Sequence, residues 1–267
     1  MAVMPPEAWM ARALELARRG LYTTDPNPRV GCVLVKDERL VGEGFHERAV
    51  EPHAEVHALG AAGPAARGAT AYVTLEPCSH QGRTGPCALA LIEAGVARVV
   101  VAMADPNPAV AGRGIDLLRQ AGIEVEVGIL EEQARALNPG FIMRMDHGRP
   151  LVRLKMAMSL DGRTAMRSGE SQWITGPQAR REVQRLRARS SSVRTGGDSV
   201  IFYNSRLTVR PEQAELEAGQ LIPGRQPLRV VVDTRLRLPE AAACLTEPGR
   251  TLVATVEGHE PERRTRL

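Results

Sequence analysis

The chain has 267 residues, 43% hydrophobic and 25% charged, a balance that excludes wholesale disorder and suits two ordinary domains. Its net charge of +4 is scattered and almost all arginine, Lys36 and Lys155 being the only lysines. Aromatics are only 3%, which removes the stacking platform of a single-strand nucleic-acid binder and leaves a small anionic substrate as the better match. The N-terminus, MAVMPPEAWM, breaks the apolar run that a secretory leader needs, and no window approaches 18 apolar residues. Neither membrane nor nucleic acid is therefore an expected partner, and a cytoplasmic setting is expected.

Trp9, Met10, Ala13, Leu14 and Ala17 recur at helical spacing and predict a helix over 6–19. After the turn TTDPNPRVG, the stretches VGCVLVK and RLVGEG read as two strands joined through Lys36, Asp37 and Glu38, and a helix follows from about His53 to Ala62. ATAYVTL reads as a strand running into Glu76, Pro77 and Cys78, and GPCALALIEAG restarts as a helix ended by Gly95. Strand and helix then alternate through ARVVVAMA, GIDLLRQAG, IEVEVGI and EEQARALNPGF. Such alternation over 1–146 predicts a three-layer α/β domain with helices on both faces of its sheet. DHGRP at 146–150 carries turn residues and marks the expected boundary. A second α/β domain is expected over 151–267, with a strand LVRLKMAM, a loop SLDGRTAMRSGESQWITG, a charged helix PQARREVQRLRAR, and strands PLRVVVD and TLVATV.

In a reducing setting Cys32, Cys78, Cys87 and Cys244 are expected as ligands or buried thiols rather than disulfides. His53 and Glu55 at the start of a helix, Cys78 after a proline at a strand end, and Cys87 at the start of another helix follow the zinc-deaminase layout, H-x-E with P-C-x-x-C. Zinc takes imidazole and thiolate ligands tetrahedrally. The three protein ligands His53, Cys78 and Cys87 leave a fourth position for water, which is the catalytic arrangement. Helix N-termini under His53 and Cys87 would favour thiolate over thiol. Glu55 is not needed as a ligand and is the expected acid/base, taking a proton from the water and passing it to the departing nitrogen. His57, one helical turn after His53, is the alternative fourth ligand of a closed, structural site. SHQGRTGP separates the cysteines by eight residues, more than the two of P-C-x-x-C. Its His80, Arg83 and Thr84 are either donors to a polar or phosphorylated substrate or members of a solvated loop.

PNPRVGCVLV, GEGFH, EPHAEVHAL, AYVTLEPCSHQGRTGPC and DPNPAVAGRG, followed by LKMAMSLDGRTA and SGESQWITG, resemble the bifunctional riboflavin-biosynthesis deaminase/reductase family from about residue 7 to 256. The resemblance implies a cytidine-deaminase-like domain followed by a partial dihydrofolate-reductase-like domain. It implies Zn2+ on His53, Cys78 and Cys87, with Glu55 shuttling the proton, and a pyrimidine substrate bearing a phosphoribosylamino group. Asn27, His46 and His80 match family positions near that pocket. For the second domain it implies NADPH-dependent reduction of the ribose to a ribityl chain. Ala157, Trp173, Ser199 and Thr234 would face the cofactor, and Ser171, Arg187, Leu207 and Arg210 the substrate, where guanidinium groups suit a phosphate. A homo-oligomer is expected.

The sequence departs from the family pattern twice. Phe202, Tyr203 and Asn204 stand where the family has a small residue and aspartates, so Tyr203 replaces an expected cofactor contact. The chain also stops at Leu267, before the family's Glu-Ala-Gly segment and its glycine-rich phosphate-binding turn. The expectation is a working deaminase joined to an incomplete reductase half with weak or absent reduction. The rivals are a nucleoside or tRNA deaminase and a protein whose zinc is structural.

Overall fold

Successive residues of a strand face opposite sides of a sheet, and in the first half of the chain both sides are apolar. The computed structural model describes residues 4–80, 85–217, 220–258 and 262–263, and the chain divides into two units, Met1–Arg153 and Leu154–Leu267. In the first, β1 (Gly31–Lys36), β2 (Arg39–Phe45), β3 (Thr70–Val73), β4 (Arg98–Val101) and β5 (Glu124–Val127) form one sheet in the order β2-β1-β3-β4-β5. β1 is antiparallel to both β2 and β3, whereas β3, β4 and β5 run parallel. On one face Cys32, Leu34, Ala71, Val73, Val99 and Val101 join the core formed with α2 (Ala54–Ala62), α3 (Cys87–Glu93) and α4 (Arg113–Gln120). On the other, Val33, Val35, Tyr72 and Val100 join α1 (Pro6–Arg19), α5 (Glu131–Leu137) and α6 (Pro139–His147). The alternation in the sequence therefore becomes three layers, as expected.

Two glycines set how closely α2 lies on the sheet. A Cβ on Gly42 would sit 2.3 Å from the carbonyl oxygen of Ala58, and one on Gly44 would sit 2.7 Å from that of Ala54. Only glycine permits that approach, so the first turn of α2, which carries His53 and Glu55, rests directly against the β2 backbone.

The helix expected over EEQARALNPGF is two helices, because Pro139 has no N–H to continue α5 and Asn138 leaves the helical region at φ −120°. Asp146 and His147, read as turn residues, still belong to α6, which ends at Gly148 in the left-handed region.

The second unit has a three-stranded parallel sheet in the order β6-β7-β8, with β6 (Ser192–Gly196), β7 (Leu228–Val232) and β8 (Thr251–Ala254). α7 (Pro177–Ala188) and α8 (Gly197–Tyr203) accompany it, and one cluster of Val200, Leu207, Val231, Leu238, Ala242 and Cys244 forms the core. Arg229 is fully buried, and its guanidinium donates to the carbonyls of Glu247, Pro248 and Gly249 and to Thr251 Oγ1. Those acceptors satisfy a charge that would otherwise be costly to bury.

The strand expected over LVRLKMAM does not form. Residues 151–158 pair with no strand, and Val152, Leu154, Met156, Met158 and then Leu160 are exposed. An alternating apolar pattern becomes a strand only when a neighbour takes its backbone hydrogen bonds. Conversely, β6 and α8 had no periodic signal: SVRTG is polar and GDSVIFY is too short for a helical repeat.

Candidate active site

The strand-end and helix-start positions of the zinc-type residues follow from their neighbours. His53 caps α2 in an extended conformation, Cys78 lies just beyond β3, and Cys87 opens α3 after Pro86. His53 Nδ1 is 3.3 Å from Cys87 Sγ and 3.6 Å from Cys78 Sγ, and the Cys87 backbone N–H donates to Cys78 Sγ at 3.3 Å. The three donor atoms all lie within 4.8 Å of one another. Among the described residues no fourth His, Cys, Asp or Glu joins them, and His57 stays outside the group.

Hydrogen bonding from the Cys87 thiol, reinforced by His53 and the Cys87 N–H, holds the Cys78 thiol well below the ordinary thiol range against the upward push of burial. Sharing that proton, together with burial, pushes Cys87 up. The hydrogen bond to Cys78 raises His53. A divalent cation among these atoms would favour thiolate on both sulfurs. One imidazole and two thiols are a donor set that zinc prefers, so the residues present fit the metal. Glu55, on the first turn of α2, is buried, and burial raises its carboxyl to about 7.

Around this cluster the structure places a wall of polar side chains. His46 is buried and meets the His53 ring edge-on, with centroids 5.3 Å apart. Asn27 Nδ2 can only donate, so His46 Nε2 accepts from it at 3.1 Å, and the ring's proton sits on Nδ1, which donates to the Pro52 carbonyl at 3.2 Å. Burial lowers the His46 pKa, in keeping with a neutral ring. The segment bearing Asn27 is held from far along the chain. Buried Asn138 accepts the Arg29 N–H on Oδ1 at 2.8 Å and donates from Nδ2 to the Arg29 carbonyl at 2.9 Å. His80 is exposed, and Arg83 and Thr84 lie outside the described residues.

Sequence reasoning missed Glu76, Asp105 and Asn138. Glu76 and Asp105 are buried close to Cys78, and burial raises the Asp105 carboxyl to about 6. The only available signal was an acidic residue beside a cysteine motif and another in a Pro/Asn turn.

In the second unit the assigned residues are partly gathered. Arg187 and Arg210 are neighbours: burial lowers the Arg187 pKa, and the charge of Arg210 adds to that effect. Arg187 donates to the Thr208 carbonyl at 3.1 Å, while Arg210 Nε is buried without a hydrogen-bond partner among the described residues. Leu207 is turned into the core at φ +60°, which leaves its backbone as the part able to face a ligand. Ser199 and Thr234 follow the ends of the adjacent strands β6 and β7, the edge where parallel sheets take ligands. Ala157, Ser171 and Trp173 lie on the segment before α7, and Trp173 is exposed beneath the Arg180 guanidinium, 4.4 Å from the ring centroid. Tyr203 ends α8, and Asn204 caps that helix in the left-handed conformation that asparagine tolerates. A separate cavity of about 610 Å³ is lined by Ser159, Arg163, Ala165, Met166, Arg167 and Ile174.

Residues 4–103 match the cytidine and deoxycytidylate deaminase zinc-binding region, and residues 150–267 match the RibD C-terminal domain. The riboflavin biosynthesis protein RibD of Escherichia coli is 56% identical over 257 residues, covering 95% of this chain and 70% of that protein. The Haemophilus influenzae protein of the same name is 57% identical over 234 residues, 86% of this chain and 63% of the relative. Among solved structures, Acinetobacter baumannii RibD superposes with a TM-score of 0.89 at 53% identity, over 98% of this chain and 72% of that one. A Thermotoga maritima diaminohydroxyphosphoribosylaminopyrimidine deaminase/5-amino-6-(5-phosphoribosylamino)uracil reductase gives 0.85 at 40% identity, over 97% and 72%. The chain spans between 63% and 72% of the length of these relatives. Two matched regions in this order, and high identity across nearly the whole chain, lead to one conclusion: the chain belongs to the RibD family of riboflavin biosynthesis, with a zinc-binding deaminase domain followed by a reductase domain.

Proposed function

We propose that residues 1–146 form a zinc hydrolase that deaminates 2,5-diamino-6-(5-phosphoribosylamino)pyrimidin-4-one, and that residues 151–267 form the NADPH-dependent reductase domain acting on the ribose of the deaminated product. The observation that carries the reading is the set of three donors, His53 Nδ1, Cys78 Sγ and Cys87 Sγ, within 4.8 Å, beside a buried Glu55. These three residues would hold zinc, which when bound supplies a Lewis acid that makes water nucleophilic at neutral pH. Burial raises the Glu55 carboxyl above the ordinary carboxylate range, the direction needed by a group that both accepts and releases a proton. It takes a proton from the attacking water and delivers one to the amino group that leaves as ammonia. Neutral His46, both nitrogens engaged within the protein, forms a fixed wall beside His53. The group of three donors also favours an open site over a closed structural one, since His57 does not join it.

In the reductase domain Arg187 and Arg210 bind the substrate phosphate, helped by Ser171 and Leu207. Ala157, Trp173, Ser199 and Thr234 face NADPH. The unpartnered Arg210 Nε supports an anion there. The setting is cytoplasmic, with a homo-oligomer as the assembly and no nucleic-acid or membrane partner. Among the described residues no helix is long and apolar enough to cross a membrane.

Ammonia release from the diaminopyrimidine phosphoribosyl substrate by the zinc-loaded chain tests the first half, with cytidine, dCMP and a tRNA as controls. The reading requires turnover of the first and none of the others. NADPH oxidation on adding the deaminated product tests the second: a steady rate that is lost in Arg210→Ala supports a working reductase domain, and no oxidation bears out the weak or absent reduction expected from the sequence.

A further inference from the structure

Glu76, two residues before Cys78, is buried at 3% exposure, and its carboxylate is the anchor of a whole loop. Oε2 accepts the backbone N–H groups of Asp105 at 3.1 Å and Gly112 at 3.0 Å, while Oε1 accepts those of Gly114 at 2.9 Å and Ile115 at 3.4 Å. The N–H of Glu76 itself donates to the Met103 carbonyl at 3.0 Å, so the residue is fixed at both ends. Residues 105–112 therefore have both termini on one carboxylate. Inside the loop the Asn107 N–H donates to Asp105 Oδ1 at 2.8 Å, and the Ala109 N–H to Asn107 Oδ1 at 3.1 Å.

The first turn of α4, which follows the loop, also presses on the residue between Glu76 and Cys78. A Cβ on Gly114 would lie 1.9 Å from the Pro77 carbonyl oxygen, so the two backbones touch with no room to slide. An ordinary helix cap needs one short side chain just before the helix. Here the first turn of α4 is capped by a longer carboxylate from the strand end that leads to Cys78, a connection spanning nearly forty residues of sequence. The buried Asp105 carboxyl that this arrangement holds lies within electrostatic reach of Cys78 and His80.

We propose that Glu76 is a positioning residue of the deaminase site: by tying the 105–112 loop to the strand end that carries Cys78, it sets the place of the Cys78 sulfur and of the buried Asp105 carboxyl near it. This rests on the zinc-deaminase reading above. The role requires two acceptor oxygens at the full reach of a glutamate side chain. Glutamine replaces one acceptor with a donor that faces N–H groups, and aspartate keeps both acceptors but is one methylene short.

The test uses the full chain with Glu76→Gln and Glu76→Asp, loaded with zinc for kinetics and with Co2+ for absorption spectroscopy, the folded fraction being counted by thermal melting. Per folded, metal-loaded site, Glu76→Gln is expected to lower kcat/KM for the phosphoribosyl pyrimidine by about tenfold or more and to shift the Co2+ ligand-field bands. Glu76→Asp should move both readouts in the same direction by less. A lower melting temperature in both variants, with kcat, KM and the Co2+ bands of the folded fraction unchanged, would overturn the proposal and leave Glu76 as a helix cap. Should Glu76→Gln not fold, Glu76→Asp decides by the same readouts. If the wild-type chain does not turn over that pyrimidine, the substrate reading fails while the Co2+ bands still judge Glu76.

Discussion

The two units use their buried polar residues differently. In the first, Glu55, His46, Glu76, Asp105 and Asn138 are all buried in or around one cluster of metal-type ligands, and the sheet is covered on both faces. In the second, Arg229 and Asp233 are spent on loops: Arg229 on the 247–251 turn, and Asp233 on the backbone N–H groups of Arg237 and Leu238. Most of its candidate ligand residues lie on loops and strand ends, several of them exposed. The comparison teaches that chemistry in the first unit is held by packing, whereas the candidate site of the second is only partly gathered by its own core.

Metal removal is the strongest way to break this contrast. Chelation should abolish deamination and lower the stability of the first unit by about 4 kcal/mol where zinc had been present at a thousand times its dissociation constant. Calorimetry should show the loss confined to that unit's transition; a matching drop in the second would contradict the division. Next in size, Leu91→Ala, in the fully buried core under α3, should cost about 2–5 kcal/mol in urea denaturation. Leu154→Ala, at 87% exposure, should stay within about 0.5 kcal/mol. A large effect at Leu154 would mean that the apolar stripe 152–160 is covered in solution.

Glu55→Gln should retain zinc and lose at least about a hundredfold in turnover, measured as ammonia release beside metal analysis. Unchanged turnover would remove Glu55 from the mechanism. The smallest effect concerns pH. Burial raises the Asp105 carboxyl from the ordinary 3.8 to about 6, so the folded state holds this proton more tightly than the unfolded one. Its contribution to stability is full below about pH 3.8 and is lost as pH rises through about 6. With partial solvent screening this is on the order of 1 kcal/mol. The stability difference between wild type and Asp105→Asn should therefore change between pH 4 and 6 and level off above, as followed by urea titration at each pH.

The parts of the molecule that could be read from the sequence were those governed by local rules. The 3.6-residue period gave α1, apolar strands bounded by turn residues gave β1 to β5, and the spacing of His53, Glu55, Cys78 and Cys87 pointed to a cluster whose geometry the fold supplies. What stayed hidden depended on partners distant in sequence. LVRLKMAM has a strand's alternation yet forms none, because alternation specifies a face and not a neighbour. Glu76 read only as the residue a strand runs into, and its role emerges only when residues 105–115 fold back onto it. SVRTG became a strand through parallel pairing with LRVVV, which its own polar composition does not announce.

The Asn138 side chain, joined to both backbone groups of Arg29, imitates one rung of a β-ladder. Its consequence is temporal as well as spatial. On the ribosome, the segment bearing Asn27 cannot be latched until the α5–α6 junction has emerged 109 residues later. The pocket wall is then among the last parts of the first unit to be completed, and a fragment cut before α6 would have its metal-type ligands but an unlatched wall.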